Sequence, residues 1–102
     1  MDTKINGCDA VKRFVGDHPE KEWLLIVRAC LAEAERTRGE FAGAWALQEA
    51  HKLGVEWFPN LRPLVACGVL HKTGGSRGGR RAYYVMPDPE GVKRALRESG
   101  IL

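Results

Sequence analysis

A glycine-rich segment between two β-prone runs constrains the fold of this chain more than any other feature. Residues 73–80 read Thr-Gly-Gly-Ser-Arg-Gly-Gly-Arg. They follow residues 69–72 and precede residues 81–86, two runs whose branched and aromatic side chains suit a pleated surface. The sequence therefore predicts an antiparallel β-hairpin over residues 69–86, with the glycine-rich segment at its tip.

Helical periodicity covers most of the remaining chain. The predicted helices are residues 19–38, 43–53, 60–67 and 88–99. Asn60 and Asp88 are the expected N-caps of the last two, and Gly54 is placed to end the second. Pro63 lacks a backbone donor and fits only in a first turn, so we expect the third helix to have roughly two turns. Residues 1–18 form an N-terminal extension with a short helix from Asp9 to Gly16.

The order is three helices, a strand, a glycine-rich tip, a strand and a last helix. A chain of 102 residues is long enough for one core and too short for two, so we expect one domain over residues 1–102. The predicted fold class is mainly α with a small antiparallel β-hairpin.

Three short stretches carry a resemblance to a known class of protein. They are Ala50-His-Lys-Leu53-Gly54, Leu61-Arg-Pro-Leu64-Val-Ala-Cys-Gly68-Val-Leu70 and Gly79-Arg80-Arg81-Ala82-Tyr83-Tyr84-Val85-Met86. In order and spacing they resemble the second helix, the third helix and the second wing strand of winged helix-turn-helix regulators of the ArsR-like and PadR-like kind. The resemblance implies a three-helix core plus a wing and a C-terminal helix. It also implies transcriptional regulation, with the third helix in the major groove of double-stranded DNA and the wing on phosphates.

The charge distribution points to the same class of ligand. Residues 58–86 contain no Asp or Glu, whereas the rest of the chain is net acidic. Such a stripe favours a polyanion. The candidate nucleic-acid-binding residues are Asn60, Arg62, Lys72, Arg77, Arg80, Arg81 and Tyr83. Because the third helix is short, we expect phosphate and shape recognition with marked salt dependence.

Several alternatives stay open at this level. Trp57 and Phe58 replace the small polar residues common in this position of the resembled fold, and they suit either the core or a protein-binding patch. The rival function is accordingly a protein interaction module. Tyr83 and Tyr84 lie on opposite faces of one strand, and the alternation does not say which faces the core. An exposed Tyr83 beside Arg81 also keeps RNA open.

Other functions find no support in the sequence. His18, His51 and His71 fall on different predicted elements without a catalytic arrangement, so we expect no enzyme and no cofactor. Cys8, Cys30 and Cys67 are far apart, which predicts ordinary thiols and no metal site.

The sequence has no signal-like segment and no apolar run near the roughly 20 residues that span a bilayer. We therefore expect a cytoplasmic protein without a membrane role. A homodimer is expected, with its seam from Val11 and Phe14 or from Val92, Leu96 and Ile101.

Overall fold

A computed structural model describes residues 6–57, 59–75 and 82–102 of the chain. In this part of the chain the elements run α1 (Gly7–Asp17), α2 (Lys21–Thr37), β1 (Phe41–Ala42), α3 (Gly43–Lys52), α4 (Arg62–Ala66), β2 (His71–Gly74), β3 (Tyr83–Val85) and α5 (Pro89–Glu98). The fold is mainly helical with a small antiparallel sheet, so the predicted class is confirmed at this level.

The sheet has three strands in the order β1-β3-β2, and both pairings are antiparallel. Tyr84 in the central strand is opposite Phe41 on one side and Lys72 on the other. The expectation of a two-stranded hairpin was therefore incomplete. β1 has only two residues, which is too short for a period-two pattern to be recognised in sequence.

The hairpin strands are shorter than predicted. β2 begins at His71 because the Leu70 amide donates to the Leu64 carbonyl over 3.2 Å and not to the sheet. Val69 and Leu70 are buried in the core. β2 extends to Gly74, two residues into the predicted tip. Residues 76–81, which hold the rest of the tip, lie outside the described residues.

The helices α2, α3 and α5 lie within one or two residues of their predicted bounds. Gly54 ends α3 with φ of 109°, and the Asp88 carboxylate caps α5 by accepting from the Gly91 amide. The N-cap of the third helix, predicted at Asn60, lies one residue later in the chain. Leu61 is the N-cap residue of α4, and the Asn60 side chain accepts from the Arg62 amide at 2.8 Å to form the turn before it. With Pro63 in its first turn, α4 has five residues rather than eight.

α1 is longer than the short helix predicted from Asp9 to Gly16. Its N-cap is Asn6, which accepts from the Asp9 amide at 2.8 Å, so Asp9 is not the cap. The helix continues through Gly16 to Asp17. α1 packs on α5, and its side chains Val11 and Phe14 are buried in the core.

One hydrophobic core joins all the helices to the sheet. Its largest fully buried side chains include Phe41 from β1, Ile26 from α2, Leu64 from α4 and Leu96 from α5. The three cysteines are free thiols, as expected. Burial raises the pKa of Cys30 to about 12, which keeps this thiol protonated and unreactive.

The described residues contain neither a membrane-spanning helix nor a metal-binding cluster. None of the described helices is both long and apolar enough to cross a membrane. No group of three or more His, Cys, Asp or Glu side chains in the described ranges is arranged to hold a metal ion.

Candidate nucleic-acid interface

A groove of about 510 Å³ opens where α3, α4, β2 and β3 meet. Its polar rim consists of Asn60, Arg62 and Lys72, all of which are exposed. Its apolar surface is formed by seven residues and by the ring of Tyr84. The seven are Gly43, Ala44, Leu47, Pro59, Leu61, Val65 and Ala82. The groove therefore combines a cationic edge with an apolar interior.

The sheet places two of the lining side chains next to each other. Lys72 and Tyr84 are directly opposite across the β2–β3 pairing, so their side chains project from the same face. Tyr84 also packs on Phe41, with ring centroids 6.1 Å apart. Burial raises the pKa of Tyr84 above its ordinary value, so its hydroxyl stays protonated as a hydrogen-bond donor at neutral pH.

Gly43 allows the start of α3 to approach the sheet. Its amide donates to the Ala82 carbonyl over 2.9 Å. A Cβ at this position would lie 2.8 Å from Cε2 of Tyr84, which is closer than carbon atoms pack. The glycine thus lets the tyrosine ring form one wall of the groove.

The positions of the two cations follow from their elements. Arg62 is the first residue of α4 and is oriented by the turn that Asn60 makes with its backbone amide. Lys72 lies on β2, which pairs only with β3 in the described sheet. Two elements far apart in sequence therefore bring a guanidinium and an ammonium group to one rim.

The groove lining has no acidic side chain among the described residues that form it. Carboxylates elsewhere hold other cations, in the described ion pairs Glu98–Lys12, Glu33–Arg36, Glu49–Lys52 and Glu35–Lys93. No ion pair of the described residues includes Arg62 or Lys72. Both cations are thus available to an anionic ligand.

The structure brings together three of the sequence-predicted residues, Asn60, Arg62 and Lys72. Tyr83 does not join them. It is 37% exposed and lies on the face of β3 opposite to Tyr84. The remaining three, Arg77, Arg80 and Arg81, lie outside the described residues.

Sequence reasoning missed the apolar half of the groove. Tyr84, Leu47 and Val65 carry it, and each is half-buried. The strand alternation separated Tyr83 from Tyr84 but gave no sign of which one faces α3. Leu47 and Val65 fit the core periodicity of their helices, which masks their partial exposure.

Two tryptophans remain on the surface outside the groove. Trp57 is 37% exposed and covers Trp23, with ring centroids 5.2 Å apart and the planes near perpendicular. Trp57 is therefore partly exposed, and one part of its ring packs against the core residue Trp23. Trp45 on α3 is 55% exposed, and nothing in the sequence singled it out. Phe58 lies outside the described residues.

The other candidate residues do not form a second site. His18 stacks on Phe14 with ring centroids 4.3 Å apart. Nδ1 of His51 lies 2.6 Å from the Val55 carbonyl oxygen, and His71 is exposed on β2.

Most of the residues predicted to form a dimer interface are buried within the single chain and are not available to a second copy. These are Val11, Phe14, Val92 and Leu96, whereas Ile101 is half-buried.

The groove has a positive rim, an apolar interior and no carboxylate in its described lining. A surface of this kind suits an anionic ligand, and its cations act more strongly where apolar walls exclude water. Comparison with known proteins adds no relative, because the chain matches no protein-family model, no curated protein and no solved structure.

Proposed function

We propose that this chain is a winged helix-turn-helix domain that binds double-stranded DNA, in the role of a transcriptional regulator. The observation that carries the proposal is the groove rim, where Arg62 and Lys72 face solvent together without an ion-pair partner among the described residues. An uncompensated pair of cations on one edge is the electrostatic feature that phosphates require.

The order of the elements supports the winged helix assignment. Three helices, α2, α3 and α4, precede two antiparallel strands, and β1 adds a third strand on the far side of β3. In this assignment α4 takes the place of the recognition helix, and the connection between β2 and β3 is the wing. Arg77, Arg80 and Arg81 belong to that connection by sequence and add three positive charges to it.

The geometry favours phosphate contacts over base reading. α4 has five residues, and only its exposed positions are free to face a ligand. Arg62 presents a planar fork suited to two phosphate oxygens, and Lys72 presents a point charge. Binding would therefore derive mainly from counterion release, and sequence preference would come from DNA shape.

The test is binding of a labelled DNA duplex across a salt series by fluorescence anisotropy. For the double variant Arg62→Ala with Lys72→Ala we expect weaker binding. We also expect the slope of log K against log salt to become shallower by about 2, since each neutralised phosphate contributes about 0.9. The triple variant Arg77→Ala, Arg80→Ala, Arg81→Ala should lower the slope by about 3.

A matched control removes the same charge elsewhere. Arg94 and Arg97 are exposed on α5, neither lines the groove, and no described ion pair includes them. The double variant Arg94→Ala with Arg97→Ala should keep most of the wild-type affinity and slope. An equal loss in both double variants would show that only net charge matters and would remove the groove from the proposal.

The exposed tryptophans favour one second candidate, a protein interaction module. Trp45 and Trp57 both present aromatic surface, and buried aromatics dominate binding energy at protein interfaces. The DNA-binding measurement distinguishes the two functions. If the wild-type protein does not bind duplex DNA even at low salt, the interaction module takes precedence.

A further inference from the structure

The groove contains apolar surface that the phosphates of a DNA duplex would leave uncovered. Leu47 of α3 and Val65 of α4 are only half-buried, and both line the groove together with the ring of Tyr84. The phosphates of a duplex lie on its outer surface and need only the rim cations. A partly exposed apolar interior directly beside those cations indicates a ligand with both an anionic and an apolar part.

The polar groups around this interior are available for binding. No hydrogen bond or ion pair of the described residues involves the Tyr84 hydroxyl, the Arg62 guanidinium or the Lys72 ammonium group. All three can donate. The groove of about 510 Å³ is therefore lined by an aromatic ring, aliphatic side chains and residues with several hydrogen-bond donors.

Resting on the proposed function, we infer that this groove binds one unpaired nucleotide of a DNA strand, such as the first nucleotide beyond a duplex end. The base packs against the Tyr84 ring between Leu47 and Val65. Its phosphate lies between Arg62 and Lys72. Base stacking on an aromatic side chain tolerates any sequence, which agrees with a domain whose α4 offers few side chains to read bases.

Charge favours a nucleotide within a strand over a free small anion. A single small anion needs only the two rim cations. The acid-free stretch of residues 58–86 adds Arg77, Arg80 and Arg81 on the connection between the two strands that border the groove. Five cations in one acid-free stretch suit a ligand with several phosphates, such as a nucleic-acid strand.

Three DNA ligands that share one duplex test the inference directly. The first is blunt, the second carries a short single-stranded overhang, and the third carries the same overhang with abasic sites. The abasic overhang keeps the phosphate charge and lacks the base. We expect the normal overhang to bind about 5-fold or more tightly than the abasic one, by the usual contribution of one stacked base.

A variant that fills the groove tests whether the unpaired base binds there. Ala44 is exposed and lines the groove, so Ala44→Phe puts a ring into it without changing charge. Ala32 on α2 is exposed and lies outside the groove lining, which makes Ala32→Phe the matched control. The preference for the normal overhang should disappear in Ala44→Phe and persist in Ala32→Phe, with unchanged melting temperatures.

The outcomes separate this inference from the proposed function. Equal affinity for normal and abasic overhangs, with good duplex binding, overturns the unpaired-nucleotide site and leaves the DNA-binding proposal intact. A preference that survives in Ala44→Phe overturns the placement in the groove. Failure to bind any of the three DNA ligands at low salt rejects the DNA-binding function itself.

Discussion

The Asp88 carboxylate links the N-termini of helices α1 and α5 by hydrogen bonds. One carboxylate oxygen accepts from the Gly91 amide at 3.1 Å and caps α5, while the other accepts from the Gly7 amide at the start of α1 at 2.7 Å. Gly7 is 81 residues away in sequence. A single side chain thus accepts hydrogen bonds from amides at two helix N-termini, where backbone donors lack intrahelical partners and a negative charge is favourable.

We predict that Asp88→Ala lowers the free energy of unfolding by about 2 kcal/mol, because both amides lose their partner. Asp88→Asn keeps one acceptor oxygen and should lose about half as much. Urea denaturation of the three proteins measures the difference. Equal stability of the wild type and Asp88→Ala would show that water replaces both hydrogen bonds without cost.

The same residue predicts an acid-dependent loss of stability. The hydrogen bonds from Gly7 and Gly91 lower the pKa of Asp88 below its ordinary value of 3.8. Because the pKa is lower in the folded state, the unfolded chain binds the proton first. The stabilisation is fully present above the unfolded pKa and is lost as pH falls through the folded pKa.

Urea denaturation as a function of pH measures this linkage. The wild type should lose stability as the pH falls below about 4, and Asp88→Asn should show a smaller loss over the same range. The carboxyl of Glu98, whose pKa is lowered by the hydrogen bond from Lys12, titrates in the same window in both proteins and does not affect the comparison. Identical pH profiles would contradict a role for Asp88.

Among the elements, the crossing of α1 and α5 depends on a close approach at Gly91. A Cβ on Gly91 would lie 2.8 Å from the Cys8 nitrogen and 2.9 Å from the Gly7 nitrogen, and it would also meet the Asp88 carboxylate. Two of these neighbours are backbone atoms, which cannot move independently of α1. The absence of a side chain therefore sets the distance between the two helices.

We predict that Gly91→Ala destabilises the protein by about 1–3 kcal/mol, as overpacking in a core does. Gly16 in α1 is the matched control, since its Cβ would meet nothing within 4 Å. Gly16→Ala should stabilise by about 0.5–1 kcal/mol, the ordinary gain of replacing glycine in a helix. Thermal unfolding of both variants should shift in opposite directions, and a rise for Gly91→Ala would refute the close approach.

At the scale of the whole molecule, the N-terminal helix is part of the core and not an appendage. Phe14 of α1 packs on Trp23 of α2 with ring centroids 5.1 Å apart, and it is buried. Val92 and Leu96 of α5 are fully buried in the same core. The surfaces predicted to hold two copies together instead hold the two ends of one chain together.

We predict that Phe14→Ala lowers the free energy of unfolding by about 3–5 kcal/mol, the cost of removing a buried aromatic ring. That is a large share of the about 5–15 kcal/mol typical of a domain. The neighbouring half-buried Val15 provides the comparison, and Val15→Ala should cost about 1 kcal/mol. A small loss in Phe14→Ala, measured by urea denaturation, would mean that α1 is dispensable for the fold.

The candidate site was predictable in its charges and not in its shape. Arg62 and Lys72 are identified by an acid-free stretch of sequence, and they do share one rim. Tyr84 was not distinguished from Tyr83, because alternation along a strand separates two faces without saying which one another element covers. The packing of α3 against β3 at Gly43 makes that choice.

Features that depend on neighbouring residues could be predicted from the amino-acid sequence. Apolar spacing and local caps located α2, α3 and α5, and the glycine-rich segment located the hairpin, because these signals act within a few residues. Features that join distant residues became visible in the folded chain alone. They are the pairing of β1 with β3, the packing of α1 on α5 through Asp88, and the groove between α3, α4 and the sheet. Such contacts arise from the burial of one shared core, which no local pattern records.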